Sequence, residues 1–184
     1  MQPMFIATEK FQKSDGDAWI KYIQWSGLTQ LEEVVSLDSM LCPYMLSEVK
    51  DEYWPHLVEE LYFPNLFADL EYLMGLVPET NQFNLLRVFK NPSSNIVLTK
   101  EKFEFEFLGY DLIEVEGSMS ALTNCGGFPK AFNNGELTRH GLLPSQLRAV
   151  EVQLELRKQY PEEHHADCNV WGIARAKYPF ENRK

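Results

Sequence analysis

Cys125-Gly126-Gly127, His164-His165 and Asp167 are the residues whose types could do chemistry in this chain. A thiol followed by two glycines lets backbone N–H groups approach a bound carbonyl, as an oxyanion site requires. A histidine can take the thiol proton, and an aspartate can orient that histidine. These residues admit a thiol-dependent hydrolase or transferase, with Cys125 as nucleophile, His165 or His164 as base, and Asp167 holding the base. The motif is short, however, and no spacing ties His165 to Cys125. The simpler reading is a structural cysteine before a glycine turn, since free cysteines are among the most buried residues.

A second set surrounds the same thiol. Asp111, Asn124, Gly126 and Gly127 are candidate binding residues at the open end of an expected hairpin. Taking Gly117-Ser118 as a two-residue turn places Ile113 opposite Leu122 and Asp111 opposite Asn124. Alternation then puts Asp111 on the apolar face of Ile113 and Val115, where an unpartnered charge is costly. The other option makes Gly109 a bulge or bend that ends the first strand, leaving Asp111 facing solvent.

Metal and nucleotide chemistry lack sequence support. His164, His165, Asp167 and Cys168 lie close in sequence, but no HxH, HxxxH, HExxH or CxxC spacing is present, so no metal ion and no cofactor is expected. No phosphate-cradling glycine loop and no GxSxG elbow occurs. His56 and His140 are isolated and read as ordinary surface or packing residues.

The elements that must position these residues read as an α+β fold. Met4–Thr8 is an apolar run suited to a first strand. Asp17–Ser26 reads as a helix, with Trp19, Tyr22 and Ile23 on one face and Gly27 as its stop. Leu31–Leu37 favours a strand. Trp54-Pro55-His56 opens a helical piece, and 64–77 reads as a helix with a Leu66, Leu70, Leu73, Val77 stripe. Asn84–Phe89 and Ile96–Thr99 are expected as a hairpin around Asn91–Asn95.

Phe103, Phe105 and Phe107 alternate with Glu104 and Glu106, which predicts one buried and one wet sheet face. Leu112–Glu116 and Met119–Asn124 are the arms of the hairpin already described. Ser145–Gln159 is the strongest helix, its expected stripe being Leu147, Val150 and Leu154, with Val152 and Leu156 as a second apolar edge. Asn169–Ala176 is the expected last strand, and 177–184 a frayed tail. The expectation is a single domain over 1–184, a mainly antiparallel sheet packed against three to four helices.

Composition narrows the function. The 184 residues carry 27 acidic against 17 basic side chains, a formal net charge of −10. Phosphate backbones repel such a surface, so nucleic acid and anionic membrane are not expected partners. No apolar run reaches the ~18 residues of a spanning helix, and the N-terminal residues lack a basic start with an apolar core. Three widely spaced cysteines suit a reducing, cytoplasmic setting. The leading expectation is a soluble, non-enzymatic module that binds a basic protein, as an inhibitor or immunity-type protein does. The thiol enzyme is the alternative.

Overall fold

A computed structural model describes residues 4–46, 48–58, 65–78, 81–98, 103–124 and 127–177. In chain order the elements are β1 (Met4–Glu9), β2 (Phe11–Gln12), α1 (Asp17–Ser26), β3 (Glu33–Val34), α2 (Leu70–Leu76), β4 (Phe83–Lys90), β5 (Phe105–Glu114), α3 (Gln146–Gln159) and β6 (Cys168–Ala176), with short 3-10 turns between. Four strands form an antiparallel sheet in the order β1-β4-β6-β5, and β2 and β3 make a separate small ribbon. The fold is α+β, as its sequence pattern predicts. The last strand, β6, is central and pairs with both β4 and β5.

The sheet is buried on both faces. Ile6, Leu86, Ile173, Trp171 and Ile113 pack on one side under the segment that carries Val35 and Leu37. Phe5, Leu85, Ala174 and Phe105 pack on the other, with Leu73 of α2. Tyr110, Leu112 and Val170 continue that second side under α3, against Ala149, Val152 and Leu156. The expected wet face is reduced to the exposed Glu104 and Glu106 at the start of β5.

Gly109 explains how β5 serves both sides. The ladder with β6 slips between Phe107 and Gly109, a β-bulge in a strand that continues to Glu114. Ahead of the bulge, Phe105 and Phe107 oppose Ala176 and Ala174; beyond it, Asp111 opposes Trp171. One extra residue moves the odd-numbered side chains from one face to the other. Gly109 has φ 144°, and Leu143 O and Leu142 Cβ lie 2.7 and 2.8 Å from where a Cβ would sit. The bulge does not end the strand, and it turns Asp111 inward.

Several local expectations are corrected. The hairpin turn spans four residues, with Glu114 N–H donating to Met119 O and Ala121 N–H to Leu112 O. Ile113 therefore bridges to Ser120 and not Leu122, and the return segment leaves the ladder after 121. Asn124 N–H bonds to Ser120 O in a turn, so Asn124 is not across from Asp111. Leu57 is extended and bridges to Phe67, which rules out a helix running on through residue 57; residues 59–64 lie outside the described ones. Leu66 and Phe67 are extended because Phe67 exchanges both backbone bonds with Phe5, and helix α2 begins only after Asp69, whose side chain accepts from Tyr72 N–H. Ile96–Leu98 forms no strand.

Helix α3 is where expected, capped by Ser145 accepting from Arg148 N–H at 3.2 Å. Its expected second edge, Val152 and Leu156, is the buried one, and the Leu147–Leu154 stripe is not. Ala149, Val152 and Leu156 face the core, whereas Leu147 and Leu154 are 67% and 57% exposed. Polar anchors set this rotation. Gln153 Nε2 donates to Cys168 O at 2.6 Å, and Arg148 donates to Glu136 at 2.6 Å and to Ala131 O. The small Ala149 also lets the helix axis approach the sheet.

Candidate functional site

Among the described residues, those singled out for chemistry are dispersed. Cys125 and Gly126 lie outside the described residues, as do 178–184 of the expected tail. Gly127 has φ 92° and, with Phe128 and Asn134, lines a shallow pocket of about 380 Å³. Asn124 Nδ2 is buried with no hydrogen-bond partner among the described residues. His164 and His165 sit in a 3-10 turn between α3 and β6. His165 Nδ1 lies 3.6 Å from Glu114 Oε2, and Asp167 Oδ1 accepts from Arg157 at 2.9 Å. Both of these partners, Glu114 and Arg157, are outside the expected triad.

The other two thiols are sealed. Cys42 and Cys168 are fully buried. Burial pushes the Cys168 thiol up to about 12 and the Cys42 thiol higher still, so neither supplies a thiolate near neutrality. Iodoacetamide, read by mass spectrometry, is expected to label both on the order of 100-fold or more slowly in the folded protein than in urea.

Asp111 sits at the centre of a buried polar cluster. It is fully buried, with Oδ2 accepting from Ser36 Oγ at 2.5 Å. Its Oδ1 accepts from Ser120 Oγ at 2.7 Å and from Leu112 N–H at 2.8 Å. Burial pushes its carboxyl up to about 6, against the opposing pull of the two hydroxyls. Asp38, also buried, accepts from Ser120 N–H through Oδ2 and from Met40 and Leu41 N–H through Oδ1. The cluster joins β5, the 36–41 turn and the 118–123 segment. Ser36, Asp38, Asp111 and Ser120 are all buried, and the cluster braces the fold.

A second polar cluster spans the edge of the same sheet face. Glu33 receives Arg175 Nη1 at 2.6 Å and Asn84 Nδ2 at 2.7 Å. His140, buried beside it, has Nδ1 3.7 Å from Glu33 Oε2. Burial and then Arg175 hold His140 below the usual histidine range. Neither cluster was visible as a motif, because Ser36, Asp111 and Ser120, or Glu33, Asn84 and Arg175, are far apart in sequence. The only local sign was a hydroxyl or charge inside an apolar run.

The open site is elsewhere. Pro161 stops α3, having no N–H to continue it. The chain then turns through His164–Ala166 and enters β6, while Val115 N–H donates to Asp167 O at 2.9 Å. This return leaves a cleft of about 490 Å³, lined by Glu114, Glu116, Glu162, Glu163, His164 and Asp167 with Val115 and Pro161. Arg157 offsets Asp167, and His165 faces Glu114. Among the described residues Glu116, Glu162 and Glu163 have no ion-pair partner. No group of three or more His, Cys, Asp or Glu among the described residues is arranged to hold a metal ion. The cleft therefore offers concentrated negative charge.

Among the described residues, no helix is long and apolar enough to cross a membrane. No family model, curated protein or solved structure matches the chain.

Proposed function

We propose that this protein binds a basic protein partner, acting as an inhibitor or immunity-type module, and that the cleft beside Pro161 receives the partner's cationic side chains. The observation that carries this reading is the convergence of Glu114, Glu116, Glu162, Glu163 and Asp167 on one concave surface. A cleft lined by one sign of charge focuses the field and raises the encounter rate of an oppositely charged partner. The −10 net charge acts in the same direction at longer range.

Fluorescence anisotropy with a labelled dodecalysine probe tests it. The Glu116→Gln/Glu162→Gln/Glu163→Gln variant is compared with a Glu9→Gln/Glu48→Gln/Glu52→Gln variant of identical net charge, whose substitutions are exposed and lie outside the cleft. The cleft variant is expected to bind about tenfold more weakly, from three exposed carboxylates worth about 0.5 kcal/mol each, and the control is expected to lose much less. The wild-type affinity is expected to fall steeply between low and physiological salt. Equal losses in the two variants would reduce the cleft to general acidity and overturn the reading.

A further inference from the structure

We infer that the partner reaches the acidic cleft as an amphipathic helix lying along the exposed face of α3, its apolar side on Leu147, Val150 and Leu154 and its basic end in the cleft. This rests on the cleft reading above and adds the form of the partner. Leu147 and Leu154 are 67% and 57% exposed, and Val150 between them is half-buried against the core. The three residues stand at i, i+3 and i+7, so they form one continuous apolar stripe on a helix. Scattered exposed apolar residues need no explanation, but a helical stripe of them is the receiving surface for a second helix.

The stripe has a direction. Arg157, three residues beyond Leu154, is its next member, and its guanidinium donates to Asp167, which lines the cleft. The apolar surface thus runs for about 15 Å from Leu147 to Arg157 and ends at the carboxylates. The negative end of the α3 dipole lies there too. The charged residues of α3 have partners: Arg148 pairs with Glu136 and Glu151, Lys158 with Glu155, and Arg157 with Asp167. The uncompensated charge lies past the helix end, on Glu116, Glu162 and Glu163. An occupant that satisfies both parts is apolar along one face and cationic at one end. A second copy of this chain would bring a further set of cleft carboxylates and does not supply those cations.

A synthetic helical peptide with leucines on one face and lysines clustered at one end tests this. A shuffled peptide of the same composition and the dodecalysine probe serve as comparisons. Leu147→Gln/Leu154→Gln keeps the charge and replaces two exposed residues with good helix formers, and far-UV circular dichroism verifies that it folds. It is expected to lose tenfold or more in affinity for the amphipathic peptide while binding dodecalysine as the wild type does. The shuffled peptide is expected to bind both proteins weakly and alike. Unchanged binding of the amphipathic peptide by this variant overturns the inference and leaves the cleft reading standing. Equal loss of dodecalysine binding by the cleft variant and its charge-matched control overturns the cleft reading itself. Sedimentation of the wild type as a dimer that the Leu147→Gln/Leu154→Gln variant abolishes assigns the stripe to self-association and also overturns the inference.

Discussion

Gly109→Ala is expected to destabilise the protein by about 2 to 6 kcal/mol, with the loss read as a lowered urea midpoint at unchanged slope. Two effects add. The backbone at φ 144° is in a region that side-chain-bearing residues rarely adopt, a strain of about 1 to 3 kcal/mol. The new Cβ would also stand 2.7 Å from Leu143 O and 2.8 Å from Leu142 Cβ. Those atoms cannot yield cheaply, because Leu143 exchanges both backbone bonds with Tyr110, at 2.8 and 2.9 Å. Overpacking of this kind adds about 1 to 3 kcal/mol. Gly75→Ala provides the opposite case. Gly75 lies inside α2, and apart from its chain neighbours and the helix's own backbone nothing comes within 4 Å of the position its Cβ would take, so alanine there is expected to add up to about 1 kcal/mol. A Gly109→Ala loss below about 1 kcal/mol would mean that the bulge is not rigidly held.

The same bulge shows where sequence reasoning reached its limit. The Phe105–Phe107 alternation, the 17–26 helix and the final strand were legible because each depends on periodicity within one segment. A bulge inverts the facing of everything after it, and period-two logic carried across Gly109 cannot locate the slip. Of the two readings of Asp111, the one on the face of Ile113 matches the structure, but its partners are Ser36 and Ser120 rather than Asn124 across a ladder. The hairpin register differed by two residues, and Ser36, 75 positions away, closes the cluster. Helix α3 repeats the lesson. Its sequence offers two apolar stripes, Leu147–Val150–Leu154 and Ala149–Val152–Leu156, and the larger side chains made the first look like the core. Tertiary hydrogen bonds from Arg148 and Gln153 decided for the second. The cleft was legible only as a count of acidic residues, because it forms where the end of β5 meets the α3–β6 connection.

Asp111 is expected to impose a pH dependence that Asp111→Asn removes. Burial raises its carboxyl from 3.8 to about 6 in the folded protein, so between those values the folded state holds a proton that the unfolded chain releases. Its contribution to stability is fully present below about pH 4 and is lost as pH rises through about 6. A shift of about two units corresponds to about 3 kcal/mol between these limits. His140 acts in the opposite sense, since burial lowers its value: its contribution is present above about pH 6.5 and lost as pH falls below it. The total curve therefore mixes the two, and the difference between wild type and Asp111→Asn isolates the carboxyl. Urea titrations at pH 4.5, 5.5, 6.5 and 7.5 are expected to show the wild type losing ground to the variant as pH rises. A difference that stays constant across that range would show that Asp111 keeps the same protonation in both states, and would reassign the cluster to hydrogen bonding alone. The expected slope instead makes Ser36 and Ser120 the groups that keep a buried carboxyl tolerable at neutral pH, by donating to both of its oxygens.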